Sequence, residues 1–234
     1  MKDVQLIGIS SFYGELKDKS PEDAIVYMAR VSNPSNQNNF ESSDKLIRYL
    51  IKNKHWSPFE MVHIVMEINT TRDIGRQILR HRSFSFQEFS QRYADPTAVF
   101  GFTNIREARL QDEKNRQNSI DLDETNANHR HLQYIFEQRQ KQIKELAIDS
   151  YEHLIEKGVA KEQARSILPE GLMMSKMYMS GTLRSWIHYC DLRMENGTQK
   201  EHMEIAKKCW LIIKKEFPNV ARGLYQEEGR NNGN

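Results

Sequence analysis

Two periodicities divide this chain into a few short strands and many helices. Val4 to Ile9 is short and mostly apolar, with Val4 and Leu6 flanking polar Gln5, and predicts a strand. Met61 to Asn69 places Val62, Ile64, Met66 and Ile68 on one face, the two-residue period of a second strand. Helix starts are marked by caps. Ser20-Pro21-Glu22-Asp23 sets a cap, a first-turn proline and two acids ahead of a helix to about Val31. Ser42 or Ser43 caps a second helix, with Leu46, Ile47, Leu50 and Ile51 inward, and Thr71 opens a basic helix from Arg72 to about Arg82. Neither Pro nor Gly interrupts 125–157, where Ile143, Leu146, Ala147, Tyr151, Leu154 and Ile155 recur at helical spacing. This predicts one long helix ended by Gly158. Shorter helices are expected over 161–168, stopped at Pro169, and over 182–194 and 199–216. Residues 94–124 break the pattern: Asp95-Pro96 and then charges and Asn with few apolar anchors, a flexible excursion or a lid. No repeat is visible. So few scattered strands do not make a doubly wound sheet. The expectation is α+β, a helix-rich single domain over residues 1–234 with a small antiparallel sheet.

Composition narrows the class. Charged residues are 28% and apolar ones 38%, and mean hydropathy is −0.75, a globular balance with a polar tilt. Lys plus Arg number 34 against 32 acids, a net charge of +2, far from the strong basicity of a bulk polyanion binder. No apolar run approaches the ~18 residues of a membrane span, and the N-terminus lacks a signal-peptide pattern. Cys190 and Cys209 make no disulfide framework, so a cytoplasmic setting is expected, without membrane or nucleic-acid partners. Gly-x-Gly-x-x-Gly, the Walker loop, His-Glu-x-x-His and Gly-x-Ser-x-Gly are all absent. His129 and His131 point about 200° apart on a helix and read as solvated or packing residues, so no metal site is expected.

The chemistry concentrates in residues 72–93. Arg72, Arg76 and Arg80 stand at i, i+4 and i+8, one helical stripe of like charge that repels itself unless an anion or acids compensate it. Gln77 and Arg80, three apart, can both reach one ligand. Arginine grips phosphate bidentately. The plain alternative is a solvated basic face paired with acids elsewhere. The residues after the stripe favour a ligand: Arg-His-Arg, a Ser- and Phe-rich segment, then Glu88, Ser90, Arg92 and Tyr93. Hydroxyls, a carboxylate and arginines together suit a polar ring or sugar as well as a phosphate. Phe84, Phe86, Phe89 and Tyr93 beside the arginines would also suit a single-stranded nucleic-acid surface, which the near-zero net charge opposes.

Arg80-His81-Arg82, then Ser85, Glu88, Ser90, Arg92 and Tyr93, spell Arg-His-Arg-x-x-Ser-x-x-Glu-x-Ser-x-Arg-Tyr. This resembles the signature of flavin-dependent thymidylate synthases. Flanking pieces agree in order: His55-x-Ser57-Pro58-Phe59-Glu60, Arg76-Gln77-x-x-Arg80, Ala164-Arg165-x-x-Leu168-Pro169, Leu192-Arg193 and Gln199-x-Glu201. The resemblance implies FAD-dependent methylation of dUMP at C5 to dTMP, with methylenetetrahydrofolate as carbon donor and NADPH as reductant. It also implies a homotetramer with sites between subunits. By position, Ser57, Arg80, His81, Arg82, Glu88, Thr182, Leu183, Arg184 and His188 resemble FAD contacts, and His55 falls near the flavin. Gln77, Arg80, Glu88, Ser90, Gln91, Arg92, Arg165 and Arg193 resemble nucleotide contacts, with Arg193 the catalytic arginine on the uracil. Thr182 and Gln87 stand where the family commonly has Asn. The segments 168–172 and 186–189 look like phage or viral relatives, in which hydroxymethyl transfer is the alternative reaction.

Two points come from the residues alone. Ser90 has no evident base and orienting group at triad spacing, so it reads as a hydrogen-bond donor and not a nucleophile. Arg184 and Arg193 are nine residues apart, about 900° of helix, and therefore face opposite sides. If both touch ligands, they serve different sites.

Overall fold

The computed structural model describes residues 3–102 and 105–231. In chain order the strands are β1 (Val4–Ile9), β2 (His63–Thr71), β3 (Ser85–Glu88), β4 (Arg109–Gln111), β5 (Ser119–Asp121) and β6 (Met174–Thr182). The helices are α1 (Pro21–Ala29), α2 (Ser43–Lys52), α3 (Arg72–Ile78), α4 (Pro96–Val99), α5 (Ala127–Glu156), α6 (Lys161–Ala164), α7 (Leu183–Met194), α8 (Lys200–Glu216) and α9 (Pro218–Asn231). Four strands form one antiparallel sheet in the order β1-β2-β6-β3, and β4 pairs with β5 in a separate hairpin. The helix-rich α+β expectation with a small antiparallel sheet holds. Among the described residues no helix is long and apolar enough to cross a membrane.

The sheet is built around β2 and β6. Their register runs unbroken from His63 opposite Thr182 to Thr71 opposite Met174. Ile64, Met66 and Ile68 of β2 and Met177 and Met179 of β6 are fully buried on the face that the helices cover. The opposite face carries polar residues, among them Glu67, which accepts from Asn69 at 2.9 Å and pairs with Lys176 at 3.3 Å. Each long strand passes without a loop into a helix, β2 into α3 at Arg72 and β6 into α7 at Leu183. Thr182 makes the second junction: its Oγ1 accepts the Ser185 N–H at 3.1 Å and caps α7.

Some helix ends follow the sequence signals, but neither Ser42, which accepts from Arg30, nor Ser43, which donates to Asp23, makes the cap bond expected at α2. Ser20 caps α1 through the Asp23 N–H, and Asn126 caps α5 through the Asn128 N–H. Gly158, at φ 82°, takes the left-handed conformation just beyond α5 that glycine adopts without cost. Burial then stacks α1, α2, α7, α8 and α9 on the sheet. Trp186 of α7 is fully buried, and its indole N–H donates to the Ile64 carbonyl at 3.2 Å, so a large apolar ring is placed without stranding its polar atom. Glu22 of α1 accepts both the Asn219 and Val220 N–H groups at 2.8 Å and so ties the start of α9 to α1. Burial raises the Glu22 carboxyl, against these hydrogen bonds.

Residues 94–124 carry regular elements. Asp95 caps α4, and the β4–β5 hairpin lies against the start of α8 through Arg109–Glu201 at 2.8 Å, Lys200–Asp121 at 3.0 Å and Lys200–Glu107 at 3.3 Å. Arg106 reaches Asp73 of α3 at 2.8 Å.

Gly181 is where a side chain has no room. A Cβ there would lie 2.4 and 2.6 Å from two Phe84 ring carbons, and Phe84 in turn packs edge-on against Trp186 at 4.9 Å. Gly181→Ala should therefore cost about 1–3 kcal/mol of stability, the usual penalty for overpacking. A urea midpoint unchanged from wild type would show that the ring can yield.

Candidate active site

α3 is shorter than its arginine spacing predicts. It ends at Ile78, and the Arg80 and His81 N–H groups bond back to Gln77 and Ile78 in tight turns. The chain has to bend here so that β3 can pair with β6. Arg72, Arg76 and Arg80 are therefore not one stripe. Arg72 is buried and faces Glu88 at 3.7 Å, Arg76 meets Glu170 at 3.3 Å, and Arg80 turns toward a different cleft.

That first cleft, about 670 Å³, is lined by Gln77, Arg80, His81, Gln117, Leu192, Arg193, Gly197, Thr198 and Gln199. It has two arginines, several amides and no carboxylate among those residues, so it suits an anionic ligand with carbonyl oxygens. Arg193 comes from the last turn of α7, and its Nε donates to His81 Nε2 at 2.9 Å. His81 accepts at Nε2 and therefore carries its proton on Nδ1. Burial first, and the Arg193 charge second, push its pKa down to about 4, so the ring is neutral. His202 of α8 lies behind it, fully buried; burial, then Arg193 and His81, push its pKa down to about 3.

A second cleft, about 330 Å³, lies at the other end of α3. It is lined by Arg72, Arg76, Gln91, Glu162, Arg165, Ser166, Leu168 and Glu170. None of these residues lines the first cleft. Gln91 is buried, and its Nε2 has no hydrogen-bond partner. A buried donor without an acceptor is costly, and an anion among three arginines would supply one. Ser90 Oγ accepts the Arg92 N–H at 3.3 Å, and Arg92 pairs with Glu162 at 3.3 Å. Glu88 accepts from Ser175 at 3.1 Å and faces Arg72 and Arg76.

A third group gathers where α7 begins. Arg184 is paired with Glu60, from the turn that Ser57 opens, and His188 packs edge-on against Trp56 at 5.0 Å. α7 thus turns Arg184 and Arg193 to separate places, as their spacing requires. Leu183 is fully buried, with its N–H donated to Val62, so its side chain packs in the core. Arg82 and Ser57 are exposed. Of the four aromatics beside the arginines, Phe84 is buried, Phe86 packs against the core, and Phe89 meets Phe100 edge-on at 4.6 Å; only Tyr93 is largely exposed. The faces of the three phenylalanines are spent on packing. Sequence reasoning did not single out Gln117, Tyr189 or His202. Gln199 and Glu201 were visible as a motif, whereas a lone histidine on a helix carries no signal.

The chain matches the family model described as thymidylate synthase complementing protein over residues 15–219. It is 46% identical over 203 residues, 87% of this chain and 90% of the relative, to a probable flavin-dependent thymidylate synthase of Paramecium bursaria Chlorella virus 1. It is 48% identical over 206 residues, 88% of this chain and 90% of the relative, to the flavin-dependent thymidylate synthase of Synechocystis sp.. Among solved structures, the UMP/dUMP methylase PolB of Streptomyces cacaoi, bound with 5-Br dUMP, superposes with a TM-score of 0.77 at 25% identity, covering 95% of this chain and 94% of that one. The fold and these relatives place the chain in the class of flavin-dependent methyltransferases. The chain belongs to the flavin-dependent thymidylate synthase family.

The neutral histidines give stability a pH dependence. Both native values, about 4 and about 3, lie below the ordinary 6.5. As pH falls below 6.5 the unfolded chain takes up protons that the native chain refuses, so stability is lost until the native values are passed. Fully buried His202 contributes a slope of up to about 1.4 kcal/mol per pH unit. Urea unfolding at several pH values should show this loss for wild type and a shallower one for His202→Asn. Equal slopes would refute it.

Proposed function

We propose that the chain methylates dUMP at C5 to give dTMP, with FAD as cofactor, methylenetetrahydrofolate as carbon donor and NADPH as reductant. Arg193 carries this reading: it is a guanidinium locked by a neutral imidazole in a cleft whose lining has no carboxylate. Its Nε is used by His81, so its terminal nitrogens are what it offers the uracil. Placed at N3 and O4, they stabilise negative charge on the ring and raise electron density at C5, which is electrostatic catalysis. His81 takes no proton at neutral pH and acts by orienting the guanidinium. FAD, when bound, supplies the hydride that completes the methyl group. Arg80, His81, Arg82 and Glu88, with Ser57, Thr182, the Leu183 backbone, Arg184 and His188, would hold it. Gln77, Arg80 and Arg193 in the first cleft and Glu88, Ser90, Gln91, Arg92 and Arg165 around the second would hold the nucleotide. The unsatisfied Gln91 Nε2 supports a ligand oxygen there.

These nucleotide residues lie around two separate clefts of one chain, which favours a homotetramer whose sites mix subunits. α5 adds to this reading. Leu132, Tyr134, Ile135, Phe136, Ile143 and Leu146 along it are all exposed, more apolar surface than an unpartnered helix usually shows. Free, buried Cys190 and Cys209 suit the reducing cytoplasm where we place the enzyme.

Purified protein should be yellow, and with all three small molecules it should turn dUMP into dTMP. The product mass separates methyl from hydroxymethyl transfer. Failure to bind added FAD would sink the assignment. Arg193→Ala should lose more than tenfold in turnover, since each charge-assisted hydrogen bond contributes roughly 1.5–3 kcal/mol, while flavin content stays near wild type; unchanged turnover would reject the role. Mixed sites are tested by complementation. Arg193→Ala and Arg165→Ala should each be strongly impaired alone, and their hybrid should regain activity through sites that contain neither defect. No recovery in a proven hybrid would place both arginines in one chain's site.

A further inference from the structure

Behind the first cleft, five side chains from α3, α7 and α8 with its N-cap form one line of hydrogen bonds, held at its end by a sixth from β4. Tyr189 OH meets His202 Nε2 at 3.2 Å, and His202 Nδ1 meets Gln77 Oε1 at 3.2 Å. Gln77 Nε2 donates to Gln199 Oε1 at 2.7 Å, and Gln199 Nε2 donates to Glu201 Oε2 at 2.9 Å. Glu201 is gripped by Arg109 of the β4–β5 hairpin, whose Nη2 reaches both carboxylate oxygens at 2.8 and 2.9 Å.

The charge at one end fixes the direction of the whole line. Burial pushes the Glu201 carboxyl up, but its own backbone N–H, Arg109 and Gln199 outweigh that and hold it below the usual range. An ionised carboxylate only accepts, so Gln199 must turn its NH₂ toward Glu201 and its oxygen toward Gln77. Gln77 must then present NH₂ to Gln199 and oxygen to His202. His202 must carry its proton on Nδ1, leaving Nε2 to accept from Tyr189, which is buried and protonated. Neither amide can flip without setting oxygen against oxygen. One hydrogen of the Gln77 NH₂ is left over, and Gln77 lines the cleft.

We propose that His202, through this line anchored by Glu201 and Arg109, is a positioning residue that holds the Gln77 amide with its free N–H toward an acceptor oxygen of the bound nucleotide. The inference rests on the reading of Gln77 as a nucleotide contact. His202 touches no ligand. It supplies the donor to Gln77 Oε1 that, together with the Gln199 oxygen on the amide nitrogen, keeps Gln77 from rotating its oxygen into the cleft, where it would repel a uracil carbonyl or a phosphate oxygen.

The test uses FAD-loaded full-length protein and dUMP as the probe. His202→Phe keeps the ring volume and removes both hydrogen-bonding atoms. His202→Asn keeps a donor near the Nδ1 position. His202→Phe should raise the Kd and KM for dUMP about tenfold, the consequence of leaving a buried amide unpaired, with kcat and flavin content changed much less. His202→Asn should recover most of the loss. Normal dUMP binding in His202→Phe, or no recovery in His202→Asn, overturns the inference. Gln77→Ala separates the two levels. If it binds dUMP normally, the underlying nucleotide-contact reading fails; if it binds weakly while His202→Phe binds normally, only the positioning role fails. Should His202→Phe not fold, nitrogen-15 spectra of the wild-type histidines decide: His202 must show the Nδ1-protonated tautomer, and an Nε2-protonated ring refutes the line's direction.

Discussion

The arrangement depends on the unbroken antiparallel register between β2 and β6. His63 lies opposite Thr182 and Thr71 opposite Met174, so the two central strands finish at opposite ends of the ladder, and each runs straight into a helix. A strand that enters a helix without a loop leaves little freedom in where the helix points. α3 therefore delivers Gln77 and the Arg80-His81 turn to the same cleft that receives Arg193 from the far end of α7. A slip of one residue between the strands would turn every core side chain to the other face.

Burial does electrostatic work at this site. His81 and His202 sit close to Arg193, and both are neutral because burial and the arginine's charge oppose protonation. The guanidinium keeps the cleft's charge, and the histidines serve as uncharged hydrogen-bonding groups. The carboxylates of the neighbourhood lie elsewhere: Glu201 is engaged by Arg109, and Glu88 and Glu170 face Arg72 and Arg76. One short helix thus separates an arginine group compensated by acids from a cleft whose lining has none.

The hairpin in residues 94–124 ties these regions together. Its ion pairs to Glu201 and Lys200 reach the first turn of α8, from which Gln199 and His202 contact Gln77. The hairpin and the Gln77 amide are thereby linked through one carboxylate. Surface ion pairs alone contribute little, but Arg109 and Glu201 are both largely buried, with side-chain exposures of 12% and 25%.

Much was legible in the chain alone. Ser20 and Gly158 mark helix ends through chemistry confined to a few residues, and β1 and β2 show their period in Val4, Leu6, Ile64, Met66 and Ile68. Local rules apply there because the interactions are local. The Arg-His-Arg signature, Arg165 and Arg193 could be picked out because they stand in the order that the resembled family has them. The hidden features were long-range. β6 is read through Met, Ser and Gly, residues with no strong strand preference; it becomes a strand because β2 and β3 flank it. α3 stops at Ile78, inside a helix-forming pattern, because the chain must reach β3. Residue order and type were enough for the helix-rich α+β class, the concentration of arginines in residues 72–93 and the opposition of Arg184 and Arg193 on one helix. It took the folded chain to divide the arginines of the two clefts and to set His202 behind Gln77, because contacts between residues more than a hundred positions apart leave no periodicity to read.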